Sequence, residues 1–136
     1  DLQRSQPLIE QSEQVLNTYD QAILLIRKGR LNEALSALNT FVQVNNDSEN
    51  TPLAYFWMGE INLTNGNLAV ATQNYNTLVG LYPTHWKVPL AKFKLGTIYL
   101  EQGNDVRATA QFENVIKEFP ESSAAKASAE TLSSLE

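Results

Sequence analysis

The sequence predicts an all-α fold: a right-handed α-solenoid of three helix pairs, closed by a C-terminal capping helix. An internal repeat is the first reason. The stretch Ala54 to Pro83, AYFWMGEINLTNGNLAVATQNYNTLVGLYP, falls on Ala91 to Pro120 when shifted by 37 residues. Gly59 then meets Gly96, Gly66 meets Gly103, Ala71 meets Ala108 and Tyr75 meets Phe112. Shifted back by the same 37 residues, it meets a worn copy carrying Ala22, Gly29, Ala34, Leu38, Phe41 and Val42. Units that recur at a fixed spacing bury their apolar faces by stacking on their neighbours, which makes an array. Periodicity is the second reason: apolar residues step by three, four and seven, as on one helix face, and no β-branched stretch alternates as a strand would. The third is punctuation, since Gly or Pro closes five of the seven predicted helices.

Taken in order, residues 1–14 are polar around Pro7 and read as a linker tail or frayed end. Residues 15–136 read as the repeat domain, with units at about 16–48, 52–85 and 89–122 and a capping helix over 122–136. The first helix carries Leu8, Val15, Tyr19, Ala22 and Ile26 on one face and ends at Lys28-Gly29, where glycine supplies the left-handed closing geometry. A second runs from Leu31 to about Val44, and NNDSEN at 45–50 is a loop by composition. Thr51 is expected to cap the third helix with Pro52 at its first position, the helix running from Leu53 to about Thr64. Asn67 is expected to cap the fourth, Leu68 to Tyr82. In the following connection, Trp86 is expected to pack under the next helix and His85 to leave its ring in water. Pro89 opens the fifth helix, which runs to Gln102-Gly103. Asn104 or Asp105 caps the sixth, which ends at Phe119-Pro120. The last, Ser122 to Glu136, offers only Ala125, Leu132 and Leu135 as apolar contacts, as suits a helix covering one end of a stack.

Composition narrows the function. A chain of 136 residues with 43% hydrophobic content can build a real core. Its formal charge of −5, with ten scattered Lys and Arg, argues against binding nucleic acid or an anionic membrane surface. No apolar run is long enough to insert across a bilayer. Without cysteine there is no disulfide and no thiol chemistry. The lone His85 has no second His or Cys with which to hold a metal, and no nucleophile motif stands beside it. Gly29, Gly66 and Gly103 end helices instead of opening them, so no phosphate loop is present. These readings point to no catalytic residue, no metal and no cofactor, and leave a surface that works by binding.

The repeat has its own chemistry. Ala22, Gly59 and Gly96 are small where the two helices of a unit cross, and Ala34, Ala71 and Ala108 follow twelve residues later on the partner helix. Four further on comes a filler, Leu38, Tyr75 or Phe112, and eight after that Pro83 and Pro120 close units 2 and 3, with Asn46 at that place in unit 1. This pattern resembles the tetratricopeptide repeat, lengthened by three residues at each junction. AYFWMGEINLTNGN and AKFKLGTIYLEQGNDVRATAQFENVIKEFPESSAAKAS are moreover similar to the C-terminal domain of the Tol–Pal-associated YbgF/CpoB family, over about residues 17–135. That resemblance implies a periplasmic adaptor that binds the inner-membrane-anchored protein TolA and a peptidoglycan synthase, coupling outer-membrane constriction to wall synthesis at division. In that family a signal peptide, a trimeric coiled coil and a polar linker precede the repeats. Residues 1–14 would then be the end of the linker, and this chain without the coiled coil is expected to be a monomer. The alternative is a structural or self-associating scaffold in another envelope or cytoplasmic assembly.

In tetratricopeptide arrays the first helix of each pair lines the concave groove. By register the groove positions are Tyr19, Ile23 and Ile26 in unit 1, Phe56, Trp57, Glu60 and Leu63 in unit 2, and Leu90, Phe93, Lys94, Thr97 and Glu101 in unit 3, and all of these but Ile26, Leu63 and Glu101 are taken as partner-binding. Arrays that grip chaperone C-termini put Lys and Asn at such sites. Here Tyr19, Ile23, Trp57 and Leu90 stand there beside Lys94, and four of these five cannot make charge-assisted bonds to a carboxylate. An aromatic groove favours instead an amphipathic helix or extended segment docked by apolar anchors. Phe56 and Phe93 could equally be internal packing between units 2 and 3, whereas Trp57 is assigned to the groove because Met58 and Ile61 already supply the inward stripe.

Overall fold

The computed structural model describes residues 18–136, which form seven α-helices and no strand. Helix α1 covers 18–27, α2 is Leu31–Val44, α3 Thr51–Thr64, α4 Leu68–Leu81, α5 Val88–Glu101, α6 Asp105–Glu118 and α7 Ser123–Ser134. The expected linker at 1–14 and the first apolar positions Leu8 and Val15 lie outside the described residues. Helices α3 and α4 pack as a pair, as do α5 and α6; α2 packs on α3, α4 on α5, and α7 on both α5 and α6. The fold is the solenoid the repeat predicts.

The helix crossings explain the small residues. A Cβ placed on Gly59 would lie 2.6 Å from Cε1 of Tyr75, and one on Gly96 would lie 2.5 Å from Cε1 of Phe112. Each ring therefore lies flush against the glycine backbone of its partner helix, a distance no other residue permits. In unit 1 the same places hold Ala22 and Leu38, both fully buried. Ala34, Ala71 and Ala108 are fully buried as well, on the second helix of each unit.

The turn inside each unit is set by one residue. Gly29, Gly66 and Gly103 have φ of 77°, 80° and 77°, the left-handed region that costs a side chain dearly. Each follows its helix with the paired bonds of a Schellman ending: in unit 2, Gly66 N–H donates to the Leu63 carbonyl at 3.1 Å and Asn67 N–H to the Asn62 carbonyl at 2.8 Å. Asn104 caps α6 as expected, accepting from the Arg107 N–H at 3.2 Å. Asn67 makes no such side-chain bond. Thr51 is not a cap either: it is the first residue of α3, fully buried, and its hydroxyl donates to the Asn45 carbonyl. Its register mate in unit 3 is Val88, 1% exposed, so this position is one for packing, and the threonine hydroxyl is discharged on the nearest loop carbonyl.

The junction between units 2 and 3 corrects a second expectation. Trp86 does not pack under α5; it is 70% exposed and stacks on His85 with ring centroids 5.3 Å apart. Val88, the first residue of α5, takes the inward place instead and is 1% exposed. His85 is half-buried, its Nδ1 accepting the Lys87 backbone N–H at 3.1 Å. Partial burial, and then the Lys87 charge, push its pKa below the usual imidazole value.

Helix α7 is the first helix of a fourth unit that has no second helix among the described residues. Ser128 falls on Ala91 and Ala54, and all three are fully buried. Because this slot is shaped for alanine, the Ser128 hydroxyl finds no hydrogen-bond partner. Ser133 falls on Gly96 but is exposed, since no ring covers it.

Candidate partner-binding groove

Helices α1, α3 and α5 are the first helices of the three units, and the nine residues on them read as partner-binding divide into three sets. Tyr19 and Phe56 belong to the core. Tyr19 is 8% exposed and packs on Phe41 with ring centroids 5.5 Å apart; Phe56 is 3% exposed and lies edge-on to Tyr75 and Trp57, each at 5.9 Å. The Lys87 ammonium closes over the Phe56 ring at 4.4 Å. Neither side chain offers a surface to a partner, because each ring is buried against a ring of the neighbouring helix.

Ile23, Leu90, Phe93 and Thr97 form the second set, half-buried supports. Ile23 packs on the unit 1 core, Leu90 on the unit 2 core, and Phe93 on the cluster under α7, with its ring 5.6 Å from that of Phe112. The Thr97 hydroxyl donates to the Lys94 carbonyl at 2.7 Å.

Trp57, Glu60 and Lys94 are the third set, and they converge. Trp57 is half-buried between the cores of units 1 and 2. Together with Ile26, Leu31, Glu60, Ile61 and Thr64 it lines a hollow of about 170 Å³. A cavity of about 150 Å³ is enough to hold a benzene ring, so this hollow has room for one aliphatic or aromatic side chain. Glu60 stands at its edge. Its Oε1 accepts the Tyr75 hydroxyl at 2.6 Å and pairs with Lys94 Nζ at 3.3 Å. One carboxylate thereby ties α3 to α4 within unit 2 and to α5 of unit 3.

Sequence reading missed the part played by Tyr75, taking it only as bulk. Burial first, then the hydrogen bond to Glu60 and its charge, hold the Tyr75 phenol far above its ordinary pKa, so it remains a donor. The signal was present in the repeat. Pairs 37 residues apart read Ile23 with Leu38, Glu60 with Tyr75 and Thr97 with Phe112, so the carboxylate occurs only where the hydroxyl does. Tyr75→Phe is therefore expected to lose about 1 kcal/mol, less than a fully buried charged hydrogen bond because Glu60 retains solvent. Adding Glu60→Thr, the unit 3 pairing, should then cost little more, which urea titration of the four members of the cycle would measure. The raised phenol pKa gives the sign of the pH effect. Stability from Tyr75 is complete below the ordinary phenol value near pH 10 and is lost as pH rises beyond it, so the alkaline loss should be smaller in Tyr75→Phe.

Among the described residues no group of three or more His, Cys, Asp or Glu could hold a metal, and no helix is long and apolar enough to cross a membrane. The arrangement offers an apolar socket with a fixed charge pair beside it, which suits recognition of a side chain.

Comparison with known proteins agrees with the fold. Tetratricopeptide-repeat models match residues 19–85 and 90–122. No curated protein matches by sequence. Among solved structures, MamA is similar at 23% identity and a TM-score of 0.66, covering 78% of this chain and 58% of its own. The Yersinia enterocolitica type III secretion chaperone SycD, in complex with a peptide of the translocator YopD, is 13% identical with a TM-score of 0.73, covering 90% of this chain and 88% of its own. The first tetratricopeptide domain of Spaghetti (RPAP3), bound to the HSP90 peptide SRMEEVD, is 16% identical with a TM-score of 0.72, covering 91% of this chain and 94% of its own. The chain spans well under two thirds of MamA, and at these identities the likenesses establish the fold alone. With the repeat models covering most of its length, the chain belongs to the tetratricopeptide-repeat family, whose domains mediate protein–protein interaction.

Proposed function

We propose that this domain is an adaptor whose α1–α3–α5 flank docks a segment of a partner protein by an apolar anchor seated against Trp57. The observation that carries the reading is the open hollow beside that half-buried indole. Tryptophan is among the residues most enriched at binding hot spots. The chemistry differs from a carboxylate clamp: Lys94, the one cation among the positions compared with such clamps, is already paired with Glu60. An acidic tail would have to break that pair to bind.

The resemblance to the YbgF/CpoB family supplies the finer identity. On that reading the partners are a TolA-like protein and a peptidoglycan synthase, the compartment is the periplasm, and the role is to link Tol–Pal outer-membrane constriction to wall synthesis. Trp57→Ala is expected to weaken binding to TolA at least about tenfold by calorimetric titration, with helical circular dichroism retained. Phe56 stays unchanged in this test, since its removal would strike the core. A folded Trp57→Ala variant that binds TolA as the parent does would move the contact off this flank.

A further inference from the structure

In departure from the monomer expected of the family resemblance, we propose that the flank formed by α2 and α4 pairs weakly with the same flank of a second copy of this chain. The repeat itself provides the comparison. Three outward register positions read Asn39, Asn76 and Glu113; Gln43, Gly80 and Lys117; and Val44, Leu81 and Glu118. All nine are exposed. Unit 3 is charged there, as a solvated helix face usually is, whereas units 1 and 2 carry no charge at any of these positions. The depletion extends further: no Asp, Glu, Lys or Arg occurs from Ala34 to Asn46 or from Ile61 to Trp86. Val44 and Leu81 are nonetheless 61% and 65% exposed at the ends of the two helices. Loss of charge around exposed aliphatic side chains is the compositional mark of an interface centre.

The chemistry selects a second copy as the occupant. Asn, Gln and Thr each donate and accept hydrogen bonds, so a face built from them is complementary to itself under a two-fold axis. A charged face would repel its own image, and the chain as a whole carries −5. Gly80 adds a matching relief: nothing lies within 4 Å of where its Cβ would be, leaving a dent one residue before the protruding Leu81. Each helix is about 21 Å long and about 10 Å wide, so the two faces present about 400 Å² in projection. A standard interface buries about 800 Å² per partner, which makes this pairing a weak, micromolar one.

Sedimentation of the intact chain from about 5 to 500 μM tests the inference across that range. The weight-average mass should climb from 15.2 kDa towards twice that value. Introducing Val44→Glu with Leu81→Glu, the residue unit 3 has at this position, should weaken association at least about tenfold while leaving thermal melting unchanged. Trp86→Ser, which removes the other large exposed side chain nearby, should leave association intact. A mass fixed at 15.2 kDa throughout overturns the proposal. So does association that survives the two glutamates, or that is lost with Trp86→Ser.

Discussion

Gly96→Leu should destabilise the domain by at least about 3 kcal/mol in urea titration, among the largest losses available from one substitution. Its Cβ alone would sit 2.5 Å from the Phe112 ring, before any leucine branch is placed. The ring has nowhere to go, since Phe112 is fully buried and backed by Phe93 at 5.6 Å. Either the two helices of unit 3 separate or the ring leaves the core. Ser133→Leu is the internal control. It falls on Gly96 in the repeat, but on α7, where nothing lies over it, and it should change stability by less than about 0.5 kcal/mol. Equal effects at the two positions would mean that the crossing does not depend on a bare backbone.

Phe112→Ala should cost about 3–5 kcal/mol, towards the upper end of that range. The cost of a cavity depends on how far its walls can collapse, and here the facing residue is a glycine with no side chain to advance. The two substitutions should therefore couple. In the Phe112→Ala background, Gly96→Leu gains the space that the ring vacated, and the double variant should be more stable than the sum of the single losses by about 1 kcal/mol or more. Strict additivity would show that ring and glycine do not share one space.

Helix ends were legible in the letters for a local reason. Gly29, Gly66 and Gly103 permit the positive φ at which a helix ends, a conformation other residues rarely adopt. Leu31–Val44 follows from its own apolar stripe, as one exposed face and one buried face demand. The assignment of faces on α3 was legible only in part, through the inward stripe of Met58 and Ile61. Leu53 to Met58 is a continuous apolar run, so periodicity cannot say which ring points inward; the structure places Phe56 in the core and Trp57 at the hollow. Trp86 misled because size suggested burial, when Val88 was the residue in register with a buried position. The Glu60–Tyr75–Lys94 contact joins three helices, and only comparison of the units with one another pointed to its Glu–Tyr half.

The central claim is that a partner enters beside Trp57. Its most direct test is to map the amide and indole NMR signals of this chain while TolA is added. The account predicts that the Trp57 indole signal and the amides of Ile26, Leu31, Glu60 and Thr64 move together and saturate. Changes confined to α2 and α4, with the Trp57 indole signal unmoved at saturation, would contradict it.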